Sequence, residues 1–173
     1  MAPDVILALD PATRTGYAHS AGRYGVWDLG IRGTEHEGRR LVRLRDQLLA
    51  AHGAWGFNRL AFEEASFGSH NPSVQAFHNE LRGVIKHVAA ELQVPFVGYH
   101  IGTIKAFACG NGHAKKDQMI RAAKTVLGIE TTDDNVADAL FVLELAKTGH
   151  DGATKKQAAR KVRQKLAKEP RLF

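Results

Sequence analysis

The stretch Val5-Ile6-Leu7-Ala8-Leu9-Asp10-Pro11 decides the fold class. Five apolar residues in a row, without alternation, describe a strand covered on both faces, and the proline ends it because it cannot donate to a ladder. Such a strand needs helices above and below it. Downstream, Gly16 to His19 and Tyr24 to Gly30 read as two short strands joined as a hairpin around Ala21-Gly22. Leu41, Leu44, Leu48 and Leu49 recur at helical spacing and predict an amphipathic helix from Glu35 to about His52. Leu60-Ala61-Phe62 is a fourth strand running into Glu63-Glu64. Val74, Phe77, Leu81, Val84, Ile85, Val88 and Leu92 then give the strongest helical stripe in the chain, beginning just after Pro72. Val94 to Tyr99 is a fifth strand. Three helices follow, over about Thr103–Cys109, Lys115–Leu127 and Asp133–Lys147, the last with Thr131, Thr132 and Asp133 as candidate caps. Three strands able to meander, followed by crossovers, predict an α/β domain with a mixed five-stranded sheet flanked by helices.

The rest of the composition fits one such domain. The chain has 173 residues, 44% hydrophobic and 24% charged, as in an ordinary globular protein. A single cysteine, Cys109, excludes a disulfide scaffold and a thiolate zinc cage. No signal peptide and no run of about 20 apolar residues is present, so the expectation is a cytoplasmic protein without a membrane partner. Charge divides the chain. Between Thr154 and Phe173 stand eight basic residues and one acid, so this tail carries +7 while residues 1–153 carry −1, which together make the net +6. The division expected is a catalytic domain over 1–150 and a basic, helical tail over 151–173, the tail suited to a polyanion.

The acids point to chemistry. Asp10 ends the first strand and Glu63 the fourth, and acids at adjacent strand ends project from one edge of a sheet, where α/β proteins bind ligands. Asp134 and Asp138 stand one turn apart on a single helix face, with Asn135 also within reach of it. Taken singly, each is an ordinary cap, turn or strand end. Gathered together, they repel and raise one another's pKa unless a cation neutralises them. Hard oxygen donors select Mg²⁺ or Mn²⁺, and two such ions can activate a water and stabilise a departing oxygen in phosphodiester cleavage.

Six segments carry a family resemblance, in order. Ala8-Leu9-Asp10-Pro11-Ala12-Thr13-Arg14-Thr15-Gly16-Tyr17 resembles the opening strand and turn of RuvC-type Holliday-junction resolvases, members of the ribonuclease H-like superfamily. Leu60 to Phe67 resembles their second acidic segment, and Gln75 through Leu81-Arg82-Gly83 the helix after it. Thr103-Ile104-Lys105 and Lys115-Lys116-Asp117-Gln118-Met119 resemble their lysine-bearing segments. Asp133 to Leu140 resembles their closing acidic helix, in a phage-like form. The match spans about residues 4–148 and leaves out the tail.

The resemblance implies that Asp10, Glu63 and Asp138 are metal-binding carboxylates; Glu64 is a rival to Glu63, but the strand alignment behind Leu60-Ala61-Phe62 favours Glu63. It places a fourth ligand at position 135, where this chain has Asn135. An amide brings no charge, so Asp134 takes over or shares that role. Lys105 and Lys116 match lysines that stand near the scissile phosphate. The implied activity is an endonuclease with two Mg²⁺ ions per site, Mn²⁺ substituting, that resolves four-way DNA junctions in recombination and repair. It would leave 5′-phosphate and 3′-hydroxyl ends. A homodimer is implied, and the stripe Val74 to Val88 is wide enough to serve its interface. Alternative readings are a related nuclease for RNA or RNA–DNA hybrids, and a junction-binding protein without catalysis. Phe67, Ser69, His70 and Asn71 fall in the loop where the family inserts side chains into the junction. His113, in a Gly-rich loop, is a minor phosphate-contact candidate. Gly110-Asn111-Gly112 lacks the strand and helix context of a dinucleotide fingerprint, and no nucleotide cofactor is expected.

Overall fold

A computed structural model describes residues 4–64 and 72–149; the loop candidates Phe67, Ser69, His70 and Asn71 and the basic tail lie outside the described residues. Five strands form one sheet: β1 (Ile6–Asp10), β2 (Arg14–His19), β3 (Arg23–Asp28), β4 (Arg59–Glu64) and β5 (Phe96–His100). Five helices cover it: α1 (Arg39–Trp55), α2 (Pro72–Glu91), α3 (Ile101–Cys109), α4 (Lys116–Leu127) and α5 (Asp134–Lys147). The strand order is β3-β2-β1-β4-β5; β2 is antiparallel to both β1 and β3, while β1, β4 and β5 run parallel. The expected mixed sheet flanked by helices is therefore present. No described helix is long and apolar enough to cross a membrane.

Alternation along the strands builds two unequal cores. Leu7, Leu9, Leu60, Phe62 and Trp27 fill one face against Leu44 and Leu48 of α1 and Leu81, Ile85 and Val88 of α2. Ile6, Ala8, Ala18 and Ala61 line the other face, mostly with methyl groups. Small side chains there let α5 lie close on the sheet. Helix α5 is buried on nearly all sides, from Val136 to Ala146, because α3 and α4 close over it. A helix with so little polar face belongs in an interior, and its composition of Ala, Leu, Val and Phe follows from that position.

Several element boundaries differ from the periodicity by a few residues, and two of the differences have a visible cause. Helix α1 starts at Arg39, not Glu35, because Glu35 is engaged in a turn: its Oε2 accepts from the Arg32 N–H at 2.9 Å and its Oε1 from Arg43 Nη2 at 2.6 Å. Strand β5 starts at Phe96, not Val94, because the Val94 N–H is spent closing α2 on the Ala89 carbonyl, with Gln93 at a φ of 55°. The ladder begins one residue later, where the Pro95 carbonyl accepts from the Leu60 N–H at 2.9 Å.

The topology marks one place for a site. The chain leaves β1 on one side through β2 and β3, and returns through α1 to place β4 on the other side. Ligands of α/β sheets bind outside the strand carboxyl ends at such a reversal. The residues there are Asp10 and Glu63–Glu64.

Candidate active site

Strands β1 and β4 run parallel with Leu9 level with Phe62, so Asp10 and Glu63 are the next residue on each. Leu9 and Phe62 point into the α1–α2 core; Asp10 and Glu63 therefore point with Ala8 and Ala61 toward α5. Glu64 lies on the opposite face. It covers Gly98, where an added Cβ would come within 2.3 Å of Glu64 Cγ, and its Oε1 pairs with Lys86 Nζ of α2 at 3.5 Å. Glu63, not Glu64, shares a face with Asp10. The turn after Asp10 is fastened by Thr15, buried, whose hydroxyl donates to the Ala12 carbonyl at 2.7 Å.

The third and fourth carboxylates arrive on α5. Asp133 caps that helix, accepting from the N–H groups of Asn135 at 3.0 Å and Val136 at 3.4 Å, and Arg14 Nη2 donates to it at 3.0 Å. Its carboxylate thus serves the helix start, as the capping pattern predicts. The first turn then crosses β2 at Gly16, the residue paired with Asp10 across the β1–β2 ladder. A Cβ on Gly16 would stand 2.0 Å from the Asn135 carbonyl oxygen, so only glycine admits the helix at this distance. Asp138, with Asp134 one turn before it, is brought to Asp10 and Glu63 by that contact.

The electrostatics of the pocket record the convergence. Burial, followed by the charges of Glu63 and Asp138, pushes the Asp10 carboxyl well above the usual range; Asp134 adds to the push and Arg82 opposes it. Glu63 is raised to about 7, first by burial, then by Asp138, with Arg82 and Lys105 pulling it down. Asp138 is raised to about 6, first by burial, while Lys105 and Lys116 pull it down and Asp134 pushes it up. Four carboxylates from three elements thus act on one another. Each of the three most buried members holds its proton far more tightly than a free side chain.

A divalent cation fits this donor set. Asp138 Oδ1 is buried with no hydrogen-bond partner among the described residues, and an oxygen in that position needs a proton or a cation to satisfy it. The donors are all hard carboxylate oxygens. They are neighbours, not a closed cage: no three Asp, Glu, His or Cys side chains among the described residues surround one point. The fourth carboxylate is engaged elsewhere, since Asp134 Oδ2 is held by Lys116 Nζ at 2.6 Å. Asn135 shares the turn, and its backbone is the part pressed on Gly16.

Lys116 opens α4 with its side chain 81% exposed, and its bond to Asp134 raises its pKa. Lys105, on α3, is half-buried and acts on both Glu63 and Asp138. Both lysines therefore border the carboxylates. His113 is exposed, its N–H bonded to Asn111 Oδ1 at 3.0 Å, and no described contact ties it to the site. Two residues at the site carry no role in the sequence reading. Arg82 is 4% exposed and lies among the carboxylates; its signal is a cation three residues before Ile85 and seven before Ala89 on a buried stripe. Cys109 is half-buried near Asp138 and Lys105, and burial raises its thiol pKa.

Comparison with known proteins bears on the whole arrangement. Residues 6–146 match a family model described as crossover junction endodeoxyribonuclease RuvC. A protein of that name from Prochlorococcus marinus is 30% identical over 148 residues, covering 80% of this chain and 94% of the relative. One from Anaeromyxobacter dehalogenans is 33% identical over 144 residues, covering 80% and 77%. Among solved structures, Thermus thermophilus RuvC in complex with a Holliday junction substrate superposes with a TM-score of 0.70 at 22% identity, covering 85% of this chain and 97% of that one. The yeast mitochondrial Holliday junction resolvase Ydc2 superposes with a TM-score of 0.57 at 14% identity, covering 96% and 86%. At those identities the two structures speak for the fold alone.

Proposed function

Since this chain belongs to the RuvC family of crossover junction endodeoxyribonucleases, we propose that it hydrolyses phosphodiester bonds at four-way DNA junctions in a divalent-cation-dependent reaction, cutting paired strands. The observation that carries the reading is the meeting of Asp10, Glu63 and Asp138, from two parallel strand ends and a crossing helix, with every one of their carboxyl pKa values raised.

Asp10, Glu63 and Asp138 would hold Mg²⁺ or Mn²⁺, two ions in the full site, with Asp134 as the charged fourth donor in place of Asn135. When bound, the metal supplies charge stabilisation for the phosphate and for the oxygens that attack and leave it. Asp134 is favoured over Asn135 because its charge already acts on both Asp10 and Asp138. The protein's own groups do the remaining work. Lys105 and Lys116 stand where an ammonium can hold a non-bridging phosphate oxygen. Lys116 would leave Asp134 to do so, which frees that carboxylate as the substrate arrives.

Residues 1–150 would form the nuclease domain. The tail at 151–173 would add phosphate contacts independent of sequence. A homodimer suits a substrate with two equivalent strands. It is supported by an apolar groove of about 400 Å³ between α1 and α2, lined by Leu41, Val42 and Val84, with Val42 41% and Val74 45% exposed. The decisive experiment is incubation of the purified chain with an end-labelled immobile junction, a linear duplex and an RNA–DNA hybrid, with and without Mg²⁺. Paired, Mg²⁺-dependent cuts in the junction alone are expected. Cleavage of the hybrid in preference to the junction, or tight junction binding with no cleavage, would overturn the reading. Asp10→Asn should keep the fold and junction binding and lose the cuts.

A further inference from the structure

We infer that Arg82 is a positioning residue for the active site, a buried guanidinium that ties the end of β4 to the helix on the far side of the 65–71 segment and so sets where Glu63 stands. The inference rests on the reading of Glu63 as a metal-holding carboxylate.

Arg82 is one of four buried polar or charged residues among those described, with Asp10, Thr15 and His19. Its Nε donates to the Glu63 carbonyl oxygen at 2.8 Å, and its Nη1 to the His78 carbonyl oxygen at 2.8 Å. The first bond takes hold of the backbone of the strand-end acid itself. The second folds the guanidinium back on its own helix one turn earlier, so the fork is braced before it reaches β4. The two anchored carbonyls belong to residues 63 and 78, which lie on either side of a connection leaving β4 after Glu64 and entering α2 at Pro72. The link therefore fixes the end of the strand to a rigid 20-residue helix, independently of that connection.

The chemistry of the side chain matches the task. A planar fork with five donors can bind two carbonyls in different directions at once, whereas an ammonium has no fixed plane and loses more freedom for each bond. Burial of a permanent cation is unfavourable unless charges face it. The acids whose charges act on Arg82 are Glu63, Glu64 and Asp10; two of the three belong to the acidic site, and Arg82 has no separate ion pair among the described residues. One fixed positive charge thus stands behind the carboxylates, on the side away from Lys105 and Lys116. It limits their mutual repulsion while leaving their open side to the cation and phosphate.

The test uses full-length Arg82→Lys and Arg82→Gln beside wild type and Glu63→Gln. Three quantities are read: Mn²⁺ binding to DNA-free protein by electron paramagnetic resonance, junction affinity in Ca²⁺, and the single-turnover cleavage rate in Mg²⁺. For Arg82→Gln the expected result is a Mn²⁺ dissociation constant at least threefold weaker and a cleavage rate at least tenfold lower, with junction affinity within twofold of wild type. Arg82→Lys should recover part of both losses, because one ammonium can still donate to the Glu63 carbonyl. Unchanged Mn²⁺ binding and rate in Arg82→Gln overturn the proposal. So does loss of the folded state in both variants by circular dichroism, which would make Arg82 a residue of the core and nothing more. If Glu63→Gln binds Mn²⁺ and cuts like wild type, it is the reading of Glu63 that fails, and the two failures are thereby told apart.

Discussion

Gly16→Ala probes the placement of the site more sharply than removal of any acid. A methyl at position 16 would sit 2.0 Å from the Asn135 carbonyl oxygen and 2.4 Å from its carbon, both backbone atoms of α5. Carbon contacts are comfortable only near about 3.5 Å, so β2 and the first turn of α5 must part by more than about 1 Å. Gly16 pairs with Asp10 in the ladder, and Asp134 and Asp138 ride on the displaced turn. The separation therefore opens the carboxylate cluster at its centre. Overpacking of this kind costs about 1–3 kcal/mol, or roughly 2–12 °C in Tm for a domain of this size. A misplacement of about 1 Å in a catalytic constellation lowers the rate by about a hundredfold. Single-turnover junction cleavage and a thermal melt measure the two effects. Gly53→Ala, on α1 with nothing within 4 Å of the added methyl, is the control and should leave the rate unchanged. If Gly16→Ala cuts within about threefold of wild type, well short of the hundredfold expected, the close helix crossing does not set the active geometry and the argument fails.

Further expectations follow from the same geometry. Glu63→Gln should lower cleavage by at least about ten- to a hundredfold, the cost of disturbing even a group that only orients a metal ligand, while Glu64→Gln, on the other face beside Lys86, should stay near the wild-type rate; equal losses would remove the face argument. In EDTA, Glu63 and Asp138 hold protons up to about pH 7 and 6 in the folded chain but only to their ordinary values when unfolded. The folded state then binds more protons, so these groups weaken stability as pH rises from about 4 to about 7, by on the order of a few kcal/mol. His19 and His78, whose burial lowers their pKa, act with the opposite sign. The contrast of urea midpoints between wild type and Glu63→Gln at about pH 5 and about pH 7.5 isolates the acid: the variant should lose less on going to the higher pH, and an equal loss would refute the coupling. Millimolar Mg²⁺ at the higher pH should raise the wild-type midpoint. Deleting 154–173 removes a net +7 and should flatten the logarithmic salt dependence of junction binding by up to about 6 while single-turnover cleavage survives; an unchanged slope would exclude the tail from DNA contact.

The order and type of all ten elements were legible from local pattern alone. Strand β1 is written in five apolar residues and a proline, α2 in a stripe from Val74 to Leu92, and the start of α5 in Asp133. These depend on neighbours in sequence, where periodicity, capping and ring chemistry act directly. Asp10 and Glu63 were likewise visible as strand-end acids, because a carboxylate that closes an apolar run must emerge at a sheet edge. Only the tertiary structure decided which face each acid takes. Strand alignment behind Leu60-Ala61-Phe62 already favoured Glu63 over Glu64, but its face followed only from the pairing of Leu9 with Phe62, since a slip of one residue exchanges the two faces of a strand. Nor could the sequence alone show that Asp134 rests on Lys116, that Arg82 grips the Glu63 carbonyl, or that Gly16 is bare so that α5 can press upon it. Each of those joins residues far apart along the chain, and no local preference encodes a distance that exists only once the sheet and its helices have packed.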